Sequence, residues 1–316
     1  MDETQSSAIA HWVTGAGLAG RPETALLGGF CERVVGAGLS LARALVVIDT
    51  LHPIHEGRVF RWRQDGKTAT EAEYGRTDEG PAAEAWRRSP FYRMLQSGAS
   101  ALRVRVNAET AAEFPSIADF HAEGMTDYLA IVNRFAASGV IGEMDCVYSS
   151  WLTDAPQGFS DAEVGALEKL LPYLALAVKC ASLARIAGTL VSTYLGRDPA
   201  QRVLSGRIAR GVADRIGTVL WFSDLRGYTK ITDTAAPEQV IPLLNDYADA
   251  VISAIHEAGG DVLKLIGDGI LAIFPAEDRE RACVAALGAA EAARRGISVL
   301  NQKRSTGGLP VSLLFV

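Results

Sequence analysis

Cysteine is scarce in this chain of 316 residues, and the four present (Cys31, Cys146, Cys180, Cys283) share no ligand spacing. That excludes a zinc ribbon or a disulfide framework and leaves reduced, mostly buried thiols as the expectation. Basic charge is also short: the net charge is −6 and the pI about 5.5, so there is no electrostatic footprint for nucleic acid. Residues 1–10 lack the basic-then-apolar start of a secretory leader. The longest apolar stretch, 170–191, is interrupted by Pro172, Lys179 and Arg185, too polar to cross a bilayer unaided. The expectation is a soluble cytoplasmic protein with no membrane or nucleic-acid partner. A hydrophobic share of 48% leaves ample core, and the length suits two domains.

The patterning of the first half alternates helix and strand. Residues 5–37 read as one or two helices, broken near Gly15–Gly17 and at Gly20-Arg21-Pro22. Arg43–Thr50 and Arg58–Arg63 read as strands around a His52-Pro53 turn, followed by a helix over Ala82–Leu95. Leu102–Val106 alternates apolar and basic residues, and Asp127–Phe135 and Met144–Leu152 are further strand-like runs. Ser160 is an N-cap and Glu163 completes a capping box for a long helix. Along it Val164, Leu167, Leu171, Leu174, Val178 and Ala181 recur in steps of three and four. That seam serves either a coiled coil between copies or one core-facing helix side, and Pro172 within it favours the core. His52, His55 and His121 could ligate something, but their irregular spacing favours solvated or hydrogen-bonded side chains.

The second half holds the two most informative runs, GTVLWFSDLRGYT and GGDVLKLIGDGILAIF. Each sets an aspartate beside glycine at the end of an apolar strand, Asp224 in the first and Asp268 in the second. Asp268-Gly269 between apolar runs predicts a hairpin, with glycine supplying positive φ. If the strands are sheet neighbours, both carboxylates meet at one edge, a placement suited to divalent metal and polyphosphate. Taken singly, Asp224 could be a helix cap and Asp268 a turn residue.

Together these segments, with the aspartates 44 residues apart, resemble the catalytic domain of class III nucleotidyl cyclases. The resemblance implies adenylate cyclase activity in intracellular signal transduction: ATP converted to 3′,5′-cyclic AMP and pyrophosphate, with two Mg2+ or Mn2+ ions. It assigns Asp224 and Asp268 as metal ligands, and Leu225 as a further one through its carbonyl. Leu225, Gly227, Tyr228, Thr229 and Gly267 fall on the phosphate-binding positions, with Tyr228 where phenylalanine is common. Lys264 falls on the adenine-contacting position, where guanylate-specific members often carry glutamate. An even step from Lys264 to Asp268 puts both on one strand face if the pleat is regular. Family sites form between two catalytic domains, so a homodimer is implied, through the cyclase domain and possibly the connector helix.

The family's second purine contact and its transition-state asparagine and arginine lie past the point where this chain stops. LPVSLLFV reads as the start of the next strand, with a sheet edge left exposed. The catalytic domain is therefore expected to be incomplete, either a fragment or a shortened relative. Gly259-Gly260-Asp261 echoes diguanylate cyclases, but here the turn is Gly267-Asp268-Gly269 and residue 262 is valine.

The first half resembles a GAF-type sensory domain in its element order and in its ending, GFSDAEVGALEKLLPYLALAV. The expected organisation is α+β: a GAF-like α/β sensory domain over 1–185, a helical connector over 186–216, and a truncated ferredoxin-like class III cyclase domain over 217–316. The alternative is a non-catalytic sensory or scaffold protein whose cyclase half only dimerises.

Overall fold

A computed structural model describes the chain outside residues 53–54, 67–69, 78, 137–140, 143, 210–214, 305–312 and 316. Part of the His52-Pro53 turn, part of the connector and most of LPVSLLFV thus lie outside the described residues. The chain forms two compact units, Met1–Ala187 and Gly188–Val316.

The first unit is built on six antiparallel strands: β1 (Arg43–Asp49), β2 (Gly57–Arg63), β3 (Thr70–Tyr74), β4 (Ala101–Arg105), β5 (Asp127–Arg134) and β6 (Cys146–Thr153). Their order is β3-β2-β1-β6-β5-β4. The short acidic β3, TEAEY, escapes the sequence reading because it has no apolar alternation. Alternation sorts β1 into two faces: Ala44, Val46 and Ile48 are buried against one layer, while Leu45, Val47 and Asp49 face the other way. On the first face Val46 is paired with Phe60 and Ala44 with Trp62 and Trp151, and Phe30 meets Trp151 edge-on at 5.5 Å.

The helices α1 (Glu3–Leu18) and α2 (Glu23–Gly36) break at Ala19–Pro22, leaving Gly15 and Gly17 helical. Gly17 is needed where it is, since a Cβ there would stand 3.1 Å from that of Ala177. The region 82–95 is two helices, α3 (Gly80–Arg87) and α4 (Pro90–Ser97). Ser89 caps α4 by accepting the Tyr92 N–H, and Pro90 at the first turn starts the new helix. The polar stretch after β4 folds into α5 (Ala108–Glu113) and α6 (Pro115–Ala122), too short for a readable period.

Helix α7 (Asp161–Leu195) opens on the expected capping box, with Ser160 N–H donating to Glu163 and Glu163 N–H to Ser160 Oγ. Leu167, Leu171, Leu174 and Val178 of the heptad seam are buried within the chain. The seam is a core face, so the coiled-coil reading of these residues is corrected. By length and composition alone α7 is apolar enough to cross a membrane, contrary to the reading of its interruptions. Its buried face belongs to the first unit's core, and Arg185 on it binds Glu23 at 2.6 Å, where Ser182 also donates at 3.1 Å.

The second unit begins with the end of α7 and α8 (Arg197–Leu204). Its sheet uses β7 (Thr218–Leu225), β8 (Asp261–Ile266), β9 (Gly269–Pro275) and β10 (Leu313–Phe315) in the order β10-β7-β9-β8, all antiparallel. Helices α9 (Tyr228–Thr234), α10 (Pro237–Glu257) and α11 (Arg279–Arg304) intervene, which gives the ferredoxin-like β-α-β-β-α-β order. Trp221, Leu225, Ile270, Ala272 and Phe274 pack with Leu243, Tyr247, Val251 and Ile255 of α10 and Ala289 and Ala293 of α11. The run LPVSLLFV supplies the expected next strand, β10, at the edge of the sheet, where Leu314 stands opposite Asp224. The thiols are free, but two of the four, Cys180 and Cys283, are exposed, so "mostly buried" holds only for Cys31 and Cys146.

Candidate active site

Strand β7 carries apolar side chains inward at Trp221 and Leu225, with buried Ser223 between them, which turns Asp224 to the opposite, partly open face. The hairpin between β8 and β9 pairs Ile266 with Gly269, so its two turn residues are Gly267 and Asp268. Positive φ falls on Gly267, at +65°, one or two residues earlier than Asp268-Gly269 implied. Gly269 serves a different need, because a Cβ there would meet the Phe222 ring at 3.2 Å.

The turn and the strand end meet. Leu225 N–H is 3.0 Å from Asp224 Oδ1 and 3.3 Å from Asp268 Oδ2, one donor shared by two carboxylates. Burial, and then the neighbouring Asp224, push the Asp268 carboxyl above its ordinary range. Beneath them lies Tyr247, 1% exposed, whose phenol is pushed up to about 12 by burial and by the charges of Asp224 and Asp268. Ser223 accepts from Trp221 Nε1 at 3.0 Å. The sequence reading missed Tyr247 and Ser223; both sit on the inward period of their elements, where they look like ordinary core positions.

Gly227 has φ +80° and precedes α9, so the chain turns sharply after Leu225. Tyr228 packs on the core, while Thr229 is exposed. Lys264 is exposed on β8. A bulge between Val262 and Lys264 breaks the regular pleat, and Asp268 is a turn residue, so counting in even steps does not relate the two. Register does place Lys264: it stands opposite Leu271, which stands opposite Phe222, so Lys264 and Asp224 share one sheet face. Elsewhere, His55 Nε2 is 2.9 Å from Glu73 and stacks on His52, while His121 is exposed. Among the described residues no group of three or more His, Cys, Asp or Glu is placed to hold a metal ion.

An adenylate cyclase of Anabaena cylindrica is 38% identical over 104 residues, 32% of this chain and 20% of that protein. Photoactivated adenylate cyclase subunit beta of Euglena gracilis is 31% identical over 99 residues, 31% of this chain and 12% of the relative. Over about a third of its length the chain is therefore similar to adenylate cyclases. The matched part of the cyclase-like chain spans a fifth or less of these relatives. Among solved structures, the adenylyl cyclase CyaB of P. aeruginosa is 26% identical with TM-score 0.29, covering 32% of this chain and 56% of that one. A phycoerythrobilin-bound GAF domain from a cyanobacterial phytochrome covers 57% of this chain and 96% of its own, at 13% identity and TM-score 0.37. No family model matches.

Proposed function

We propose that the second unit is an adenylate cyclase domain, converting ATP to 3′,5′-cyclic AMP and pyrophosphate in a cytoplasmic signalling protein. The observation that carries this reading is the convergence of Asp224 and Asp268 on the Leu225 N–H. Two carboxylates that crowd one donor, with one pKa driven up, suit a divalent cation as their missing counter-charge. Magnesium takes few protein carboxylates together with substrate oxygens, so a two-carboxylate set fits a metal arriving with a triphosphate. Mg2+ or Mn2+ ions, when bound, acidify the ribose 3′-hydroxyl and offset the charge of the triphosphate.

This chain's residues would bind and orient. Asp224, Asp268 and the Leu225 carbonyl hold the cations. The turn Leu225–Thr229, with Gly227 leaving room for close approach, directs amides toward phosphate oxygens. Lys264, on the Asp224 face, contacts the adenine. Leu220 and Ile266 lie on that same face and are 66% and 52% exposed, which supports a second copy covering the site.

The test is manganese-dependent ATP binding by calorimetry on the chain and on an Asp224→Asn, Asp268→Asn double variant. Binding lost only in the variant supports the reading. Equal binding by both, or none by a folded chain, refutes it and favours a unit that only dimerises.

A further inference from the structure

Within the second unit, Asp261 and Lys264 of β8 share a sheet face although an odd step in sequence separates them. Asp261 stands opposite Ile273, which stands opposite Leu220, so Asp261 lies on the face that carries Asp224. Lys264, opposite Leu271 and through it Phe222, lies on that face too. In an unbroken strand an odd step would send Lys264 to the other side, toward the core. The bulge returns it: Val262 pairs with Ala272 and Lys264 with Leu271, so Leu263 is one residue more than β9 can match.

The start of a helix presses on that bulge. Gly196, the N-cap of α8, is buried there: a Cβ would stand 2.5 Å from the Val262 carbonyl oxygen and 3.2 Å from Leu263 Cα. Its φ of +83° and this close approach both call for glycine. Glycine gives the helix no side-chain cap, and β8 supplies one. The Arg197 N–H, first in α8, donates to Asp261 Oδ1 at 3.0 Å. A carboxylate at this end also meets the positive pole of the helix. Further along α8, Arg202 borders a cleft that Ile273 lines as well. These contacts lie on the row of the sheet next to Lys264 on the Asp224 face.

We propose that α8 is the positioning element for Lys264: the Asp261 cap and the Gly196 contact clamp the bulge, and the bulge turns the lysine to the carboxylate face. A strand freed of the clamp can slip by one residue, and that slip carries Lys264 to the core side. Asp261 and Gly196 are positioning residues that act through Lys264 and touch no substrate. The consequence for purine choice rests on the reading of Lys264 given above; the clamp itself does not.

Amide exchange and competition binding on the full chain separate the two. Asp261→Ala should speed exchange about fivefold over 197–204 and over 261–266, and Asp261→Asn, which keeps an acceptor oxygen, should restore most of the protection. Gly196→Ala should loosen the same two segments; if it does not fold, the pair of Asp261 variants still decides. With Mn2+ present, Asp261→Ala should lower the preference for ATP over GTP about threefold or more. Tripolyphosphate, which has no purine, should stay within about twofold of its wild-type affinity. In a Lys264→Ala background the same substitution should leave nucleotide choice unchanged. Unchanged exchange at 261–266 in Asp261→Ala, or equal loss of tripolyphosphate and ATP from a folded variant, would overturn the proposal. If the wild-type chain binds no nucleotide, the cyclase reading fails and exchange at 261–266 alone decides the clamp.

Discussion

Asp224 and Asp268, from different elements, accept the same backbone N–H, that of Leu225, at 3.0 and 3.3 Å. The arrangement is uncomfortable without a cation, because burial and the neighbouring Asp224 penalise ionisation of Asp268.

Stability should report that discomfort directly. The folded pKa of Asp268 is raised, so the native state holds its proton at a pH where the unfolded chain has lost it. Stability from this group is therefore lost as pH rises from the ordinary carboxylate value through the raised one. Without metal, Asp268→Asn should leave stability above that window unchanged or raised by up to about 0.5 kcal/mol, while metal-dependent ATP binding disappears. Thermal melts across pH 3 to about 8 check it; a large loss of stability would contradict the like-charge account.

Metal alone should bind weakly. With two carboxylates and no third His, Cys, Asp or Glu beside them among the described residues, Mn2+ titration without nucleotide should give a millimolar-range Kd, tightening about tenfold or more with ATP present. Equal affinity with and without ATP would indicate a different metal set.

Lys264 is exposed on the carboxylate face, so Lys264→Glu should alter nucleotide choice with little cost to the fold, within about 0.5 kcal/mol. Competition binding should show the preference for ATP over GTP falling several-fold. An unchanged ratio removes Lys264 from the purine contact.

In the first unit, Gly158→Ala should be costly. Gly158 has φ +71°, and a Cβ there would come within 1.8 Å of Arg105 Nη1 and 2.5 Å of Asp127 Oδ2. The buried Asp127 also accepts from Arg103 at 2.8 Å and from the Phe159 N–H at 3.0 Å, so it has little room to yield. A loss of at least about 2 kcal/mol is expected, from φ strain and displaced contacts. Denaturant melts followed by fluorescence measure it.

The pair of buried Glu23 and half-buried Arg185 should be non-additive. Arg185→Met strands the carboxylate and should cost about 3–5 kcal/mol. Glu23→Leu added to it should restore most of that, since an apolar pair of similar volume is often neutral. A double-variant cycle with no coupling would rule this out.

The second unit was the more legible in sequence because its signals are local: glycine beside aspartate at the ends of apolar strands. The shift of positive φ from Gly269 to Gly267 shows the limit, since both glycines satisfy a turn pattern and only pairing of Ile266 with Gly269 chooses. The heptad seam of α7 could not be assigned from spacing, because core faces and coiled-coil faces share one period; burial of Leu167, Leu171, Leu174 and Val178 decides it. Strand β3 and helices α5 and α6 are held by neighbours or caps more than by pattern. Tyr247 was invisible because its role depends on what lies above it.

Because β7 pairs with β9 as far as Ser223 and with β10 over Ser223–Leu225, Asp224 is carried by an interior strand. Asp268, by contrast, rides on a two-residue turn. The pair should therefore differ in amide exchange: slow at 223–225, opening only with the whole sheet, and fast at 267–268, where the hairpin tip frays locally. One carboxylate is an anchor and the other a hinge, so a ligand that bridges them should slow exchange at the tip far more than in the strand.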